Sequence, residues 1–583
     1  MPVIRDRRAS RLFSWRGVVA YTERAVANPF VAYAAIAALQ LRVIWNIWRY
    51  ADLPGGDTSS YFVDVATWQH GLHEDIVYSP LYDAFWGTIL GVVHNLYAAA
   101  IIQRVAIILG VALLVLALMR SLLGPALGLL IATWWVIIPA NYDVLYEVHL
   151  MGALPILLAL LVVAYMPRRQ GMGIAVAIML AGAVLLRTEL IAAAVILAAA
   201  VAVYEVRELR GSRRASQSAY LRAYVIPLAL AFLVIGGTYA RSYVQGSEAW
   251  QLLQAKEERG FCNFYTAAYQ QRHPTRFTGN YWTECQSLMQ QTFGRPEPSI
   301  LQATTVNPRA VTAFLAWNVR LLPAGVQVSL FGASAFEHDP GPLPVTESST
   351  YALLLSIVMS LLVIAGFISV VRDGTVSLRR MSARVQWIAV TLASIAAATV
   401  LVALTTRPWS EYIYGLTIGA LALVGVSVSV LLRRIGGTRI LAPIALGVVL
   451  ALIVAQSSIY GPGPRPLYEA YEHLQVVQRR LQTPGSVLVS QISPNELCNY
   501  LAYSHDRTCT PAYWPVLQLS VTASDPVGKV LRANHASVLY VEGQMASDPD
   551  IVELLAKPSA QGWRLVAKGT GLSGHWYVLV PIS

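Results

Sequence analysis

The 583-residue chain is short of charge. Only 13% of its residues are Asp, Glu, Lys or Arg, against about 25% in soluble globular domains, which excludes an ordinary soluble enzyme. Lysine is nearly missing: four (Lys256, Lys529, Lys557 and Lys568) stand beside 39 arginines, a skew that carries no functional reading. No Asn-x-Ser/Thr sequon occurs, which fits a bacterial source. No Gly-rich phosphate fingerprint and no internal repeat is present, so a nucleotide-dependent enzyme is not expected. What fills the space is apolar: 56% of the chain is hydrophobic, and disorder is excluded with it. A net charge of +11, from 43 basic and 32 acidic residues, would ordinarily raise nucleic acid as a partner. In a chain this apolar the commoner cause is basic loops on the cytoplasmic side of a membrane, and no nucleic-acid partner is expected.

A span needs roughly 20 apolar residues to cross a ~30 Å hydrocarbon core. About eleven such stretches are predicted, near 29–48, 96–119, 124–140, 150–166, 171–187, 189–206, 222–242, 351–371, 386–404, 412–432 and 440–459. The opening segment has no cleavage-site pattern and reads as a basic cytoplasmic tail rather than a signal peptide. Starting from the inside, the cytoplasmic segments hold 21 arginines, and the short outer segments hold three, Arg49, Arg187 and Arg407. The positive-inside rule is strongly satisfied by that orientation. It also puts all four cysteines, Cys262, Cys285, Cys498 and Cys509, on the outer face, where disulfides persist. Three pairings are open, of which Cys262–Cys285 and Cys498–Cys509 close the shortest loops; four separate thiols are the alternative.

The chain therefore divides into a polytopic α-helical membrane domain over 1–459, with outer loops 49–95 and 243–350, and a small extracytoplasmic α/β domain over 460–583. Within the long loop, the aromatic stretch Val311–Leu330 is amphipathic and reads as a helix on the membrane surface. Tyr460-Gly-Pro-Gly-Pro-Arg-Pro466 is a linker by composition. Beyond it, strands are predicted over Ser486–Ser490, Ser537–Val541, Trp563–Ala567 and Trp576–Val580, with helices near 466–482, 494–503 and 549–556.

The most informative stretch is the first outer loop, Gly56-Asp57-Thr-Ser-Ser-Tyr61-Phe-Val-Asp-Val65-Ala-Thr-Trp68-Gln-His70-Gly71, followed by Tyr78-Ser79-Pro80-Leu81-Tyr82. Helical spacing puts Tyr61, Val65 and Trp68 on one face, with Asp57 at the N-cap end. The pattern Gly-Asp-x-x-x-Tyr-x-x-x-x-Ala, then Gly, then Tyr-x-Pro-Leu-Tyr, resembles the first outer loop of polytopic GT-C glycosyltransferases. These include the protein O-mannosyltransferase and aminoarabinose-transferase groups. The resemblance covers mainly residues 29–210, together with the plan of an outer C-terminal domain. One departure stands out: Thr58 takes the place of a second acidic residue, so the loop by itself does not supply two carboxylates.

The resemblance implies a GT-C fold and an enzyme of the cytoplasmic (inner) membrane of a bacterium, working at its outer face. Its donor would be a sugar on a polyprenyl phosphate and its acceptor a glycan, a lipid or a protein. Transfer with inversion needs a base for the acceptor hydroxyl and cations for the departing phosphate. By its match to the family's loop aspartate, Asp57 is the candidate base; the alternative is a helix N-cap, which would tolerate Asn. In the second outer loop, Pro139-Ala-Asn-Tyr-Asp143-Val-Leu-Tyr-Glu147-Val-His149, Glu147 resembles the family's second acidic site. Asp143 is expected one turn earlier on the same helical face. Either orients the acceptor or shares a divalent cation with Asp57; solvated loop charge is the alternative. Tyr61, Tyr82 and His149 are candidate substrate contacts.

Arginines supply the phosphate side, because the guanidinium fork binds two oxygens with fixed charge. Arg407, in the short outer segment Thr405-Thr-Arg-Pro-Trp-Ser-Glu-Tyr412, resembles the arginine that relatives place near the lipid phosphate. Arg187 lies sixteen residues past Gly171, roughly 24 Å of helical rise, which brings it to the outer edge. Glu189 is two residues away, so a structural Arg–Glu pair is the alternative. Arg104, inside the second span, is costly unless paired or lining a cavity. His70, His73, His94 and His149 show no metal-ligand spacing, and Trp134, Trp135 and Trp409 fit an interfacial belt as well as a sugar platform. A secondary transporter and a non-catalytic envelope scaffold are the competing classes, although no paired halves with broken helices are evident.

Overall fold

The computed structural model describes residues 15–47, 61, 65, 79–93, 96–143, 147–210, 217–244, 249–282, 284–338, 349–372, 383–459, 476–477, 479–481, 486–490, 509–541, 543–571 and 574–582. Asp57, Trp68, His70, His73, His94 and Cys498 lie outside them, as does the helix predicted near 494–503. The chain forms two compact units. One comprises Met1–Val43, Glu74–Tyr82 and Ala106–Ser457; the other comprises Ile44–His73, Asp83–Val105 and Ser458–Ser583.

The first unit is helical. Among the described residues of the whole chain, nine helices are long and apolar enough to cross a membrane, and the protein is a multi-pass membrane protein. Eight of them match predicted spans. Two other predicted spans, 124–140 and 440–459, are the shorter apolar helices Pro125–Ile137 and Leu441–Ala455. The first predicted span is one leg of a pair, Gly17–Ala27 and Pro29–Val43, bent by 80°. The bend has a local cause: Pro29 has no N–H to continue the ladder, and the Asn28 side chain instead accepts from Phe30 N at 3.0 Å. Arg120 fixes the end of the first leg, donating to Val26 O at 2.8 Å and Ala27 O at 3.0 Å.

The ninth long helix, Pro308–Phe331, covers the stretch expected as a surface-lying amphipathic helix over 311–330. Its helical period holds, with Arg309, Thr312 and Arg320 exposed and the amides Asn318 and Gln327 facing inward. Asn318, wholly buried, donates to Leu404 O at 2.8 Å and Thr406 O at 2.9 Å, the last carbonyls of the neighbouring helix Ala383–Thr405. It thereby satisfies acceptors that a helix end leaves open. Gln327 donates to Ser356 Oγ at 2.8 Å, and Trp134 Nε1 to Leu330 O at 2.6 Å. At Gly325 a Cβ would lie 2.1 Å from Pro408 O, so the helix and the 405–412 segment meet backbone to backbone. Gly325→Val is therefore expected to lower stability by about 1–3 kcal/mol and to displace Arg407 and its neighbours. Thermal unfolding in detergent, read beside turnover, checks it.

The N-terminal half of the same helix closes a separate cluster. Cys262 and Cys285 form a disulfide, joining helix Ala249–Arg272 to helix Cys285–Phe293. Phe261, Tyr265, Met289, Phe293, Val311 and Phe314 are buried around it. Cys509 is also disulfide-bonded. At the other end of the helical unit, Arg169 and the hydroxyls of Tyr220 and Tyr224 all bond Glu205, at 3.0, 2.8 and 2.8 Å. Arg168 stacks on Tyr204 at 3.7 Å. These arginines tie helices together as well as setting charge.

The C-terminal part of the second unit is an α/β sheet. Five strands, β1 (Ser486–Ser490), β2 (Cys509–Tyr513), β3 (Ala536–Val541), β4 (Trp563–Gly571) and β5 (Gly574–Pro581), lie in the order β2-β1-β3-β5-β4. The β1 pairs are parallel, and β5 runs antiparallel to β3 and β4. Strand β2 is absent from the predicted set. It contains Pro511, which cannot donate, and it is tolerated because β2 is an edge. Helix Pro549–Ala556 falls where it was predicted, capped by Asp548, which also accepts from Trp514 Nε1 at 3.0 Å.

Candidate active site

Three segments far apart in sequence meet in the helical unit: the turn after helix Arg168–Leu185, the short helix Glu147–Met151, and the Ser410–Tyr412 turn. Arg187 sits where the first of these turns, and its guanidinium bonds Glu189 through two nitrogens, Nε at 3.1 Å and Nη2 at 2.5 Å. The structural pairing foreseen as the alternative for Arg187 is thus formed, but it is only part of the arrangement. Nη1 approaches His149 Nε2 at 3.4 Å, and the guanidinium lies over the Tyr412 ring at 5.2 Å. A ring nitrogen facing a guanidinium acts as acceptor, which leaves the imidazole proton on Nδ1. Nδ1 faces Glu411 at 3.9 Å, and the His149 ring stands edge-on to Tyr412 at 5.3 Å.

These side chains line one pocket, which is polar at His149, Arg187, Glu189, Glu411, Tyr412 and Tyr414 and apolar at Ile156, Leu190, Ala193, Ile395, Ala398 and Val402. Burial pushes the Tyr412 phenol up, and the charges of Glu411 and Glu189 add to that, while Arg187 pulls the other way; the net direction is upward. Tyr412 is therefore a neutral donor at neutral pH. Tyr414 is buried, and its hydroxyl has no hydrogen-bond partner among the described residues. Polar donors that face a cavity without a protein partner fit a ligand with oxygens.

The first-loop motif enters through its second half. Ser79, at a left-handed φ of 55°, donates its hydroxyl to Leu186 O at 2.6 Å, one residue before Arg187. The chain then turns at once into helix Pro80–Val93, with Tyr82 N on Ser79 O at 2.7 Å. Tyr82 is buried, as are Tyr61 and Val65 of the first half. The Tyr-x-Pro-Leu-Tyr element is thus physically tied to the Arg187 turn.

Other expected residues fall differently. Glu147 opens the helix that carries His149, whereas Asp143 is not helical; its N–H closes a turn onto Pro139 O at 2.7 Å. Residues 144–146, which join the two, lie outside the described residues. Arg407 is buried, on the same 405–412 segment as Glu411 and Tyr412, but it does not line the cavity. Arg104 is buried within helix Leu96–Leu123. Among the described residues no three His, Cys, Asp or Glu side chains are grouped to hold a metal ion. Glu411 and Tyr414 were not singled out in the sequence; the one available signal was an acidic residue in the very short 405–412 segment.

No protein-family model matches the chain, and no curated protein matches it. Solved structures do. The archaeal oligosaccharyltransferase AglB of Archaeoglobus fulgidus, in complex with an inhibitory peptide and a dolichol-phosphate, is similar at 12% identity and a TM-score of 0.43, over 97% of this chain and 74% of that one. ArnT of Cupriavidus metallidurans, bound to undecaprenyl phosphate, is similar at 12% identity and a TM-score of 0.39, over 97% of this chain and 98% of that one. The A. fulgidus oligosaccharyltransferase in complex with Zn and sulfate is similar at 13% identity and a TM-score of 0.38, over 94% and 72%. Both enzymes are GT-C superfamily membrane glycosyltransferases. The likeness is distant and concerns the course of the chain.

Proposed function

We propose that the protein is an inverting glycosyltransferase that moves a sugar from a polyprenyl-phosphate donor to an acceptor hydroxyl at the outer face of a bacterial cytoplasmic membrane. The observation that carries this reading is the mixed lining of the pocket, apolar side chains of three helices together with the Arg187 guanidinium. A long-chain lipid phosphate has a part for each. The motif of residues 56–82 supports the reaction class, and the Ser79–Leu186 bond ties its second part, Ser79–Tyr82, to the turn that carries Arg187.

In this reading the Asp57 carboxylate takes the proton of the acceptor hydroxyl. The acceptor oxygen forms its bond to the sugar's anomeric carbon from the face opposite the phosphate. The bond from that carbon to the phosphate oxygen breaks, and the electron pair leaves with the polyprenyl phosphate. Arg187 faces the developing phosphate charge, with Tyr412 as a neutral donor beside it. Arg407 acts on the same phosphate from the neighbouring segment, and Arg104 is the third cation. Glu147 or Asp143 orients the acceptor, with Tyr61, Tyr82 and His149 as further substrate contacts. The C-terminal α/β part, residues 460–583, lies on the outer side and meets the acceptor, be it glycan, lipid or protein. A divalent cation bridging Asp57 and the second loop would lower the acceptor's proton affinity; no step here depends on one.

Mass spectrometry of envelope glycans and glycolipids from wild-type and deletion cells tests the reading. One sugar substituent is expected to vanish while its polyprenyl-phosphate donor accumulates, and unchanged profiles would remove the proposal. Arg407→Ala is expected to raise the donor KM about tenfold, as loss of one charge-assisted contact does, with the acceptor KM little changed. An unaltered donor KM would make Arg407 a structural arginine.

A further inference from the structure

A guanidinium has two edges that can each take two oxygens at once, Nε with Nη2 and Nη1 with Nη2. In Arg187 the first edge is held entirely by the Glu189 carboxylate, at 3.1 and 2.5 Å. The second edge shares Nη2 with that carboxylate and turns Nη1 to His149 at 3.4 Å. Nη2 keeps a second N–H on that edge, but Nη1 there already faces His149, so a phosphate entering the cavity competes with Glu189 for the Nε–Nη2 edge. The two partners differ in freedom to move. The Arg187 side chain is 14% exposed and that of Glu189 27%, so the carboxylate has the better route to water. The arginine stem is wedged against Gly152, where a Cβ would stand 2.9 Å from Arg187 Cγ. His149, only 8% exposed, is fixed between Arg187, Glu411 and Tyr412.

Building on the lipid-phosphate reading above, we propose that Glu189 is an exchangeable anion that sets how tightly the site holds a lipid phosphate. Arg187 gives up the carboxylate when the phosphate arrives and takes it back when the product leaves. Charge explains why such a competitor matters. The sugar donor is a phosphodiester with one negative charge, whereas the product is a monoester carrying about −1.5 to −2 at neutral pH. Against a bare guanidinium the product would be held more tightly than the donor. A carboxylate two residues away, always present at high effective concentration, reduces that difference and promotes release.

The test uses the full-length protein in lipid nanodiscs, with polyprenyl monophosphate as the probe. Glu189→Gln keeps the side chain's shape and removes its charge. It is expected to bind the probe roughly two- to fivefold more tightly, the range for a partly exposed ion pair, and to be product-inhibited at correspondingly lower concentration. Glu189→Asp keeps the charge at shorter reach, and a smaller tightening is expected, so the proposal remains testable even where the Gln variant is poorly folded. Unchanged or weaker binding by variants whose thermal unfolding matches wild type would overturn the proposal and leave Glu189 as a prop for Arg187. Failure of the wild type, Glu189→Gln and Arg187→Gln alike to bind polyprenyl phosphate would instead overturn the donor reading, and the exchange with it.

Discussion

Asp57→Asn is expected to lower the rate of sugar transfer by about 10²–10⁴-fold, the usual contribution of a general base, with expression, membrane insertion and thermal unfolding as in wild type. The substitution is chosen because it separates two roles that the sequence position shares. An aspartate at a helix N-cap accepts a backbone N–H, and asparagine does that almost equally well. A base must instead take a proton from the acceptor, which the amide oxygen of asparagine cannot do at neutral pH. The loss should fall on kcat, since the donor's lipid and phosphate are held by other groups. Single-turnover transfer with saturating donor reads it directly. Activity within a few-fold of wild type would remove Asp57 from the chemistry and leave the second-loop carboxylates, Glu147 first, as the groups to examine.

The two halves of the structure were unequally legible in the sequence. Long apolar helices announce themselves because nothing else satisfies backbone groups in lipid, and most of their ranges could be read to within a few residues. The bend at Asn28–Pro29 and the inward partners of Pro308–Phe331 were not read. In both, a few polar side chains decide the outcome: Asn28 caps a new helix start, and Asn318 closes the end of a different helix 86 residues away in sequence. Helical period says which residues share a face; it does not say which partner that face meets. Strand β2 was missed for the opposite reason, since Cys509-Thr-Pro-Ala-Tyr513 has no alternating pattern and is placed by its pairing with β1.

The site shows the same limit. Arg187, His149, Tyr82 and Arg407 were singled out one at a time, Arg187 beside the alternative of a structural pair with Glu189. The structure brings Arg187 and His149 together, ties the Tyr82 segment to them through Ser79, and leaves Arg407 outside the cavity lining. Glu411 gains its meaning only there. As a residue of a short loop it is one more acidic side chain; buried at 3.9 Å from His149, it faces the imidazole that Arg187 approaches through the other ring nitrogen. Glu189 shows that a structural pairing and a functional role can belong to one residue, because the contact that satisfies Arg187 at rest is the contact a phosphate would replace.

Removing the Cys262–Cys285 disulfide is expected to act on the site as well as on stability. The bond closes a loop of sequence separation 23, for which chain-entropy reasoning gives roughly 3 kcal/mol. Both cysteines are fully buried among apolar residues, so Cys262→Ala/Cys285→Ala removes the bond without adding a polar group. Phe264, two residues from Cys262 on the same helix, packs edge-on against Trp409 at 5.5 Å and Tyr412 at 6.0 Å. Trp282, on the segment between the two cysteines, also meets Trp409, at 6.3 Å. The disulfide-bonded segment therefore braces the turn that carries Glu411 and Tyr412. A less constrained segment should lower the midpoint of thermal unfolding and raise the donor KM together, and dithiothreitol should raise the donor KM in the wild type but not in the double variant. A lowered midpoint with an unchanged donor KM would separate the two and leave the aromatic contacts as packing alone.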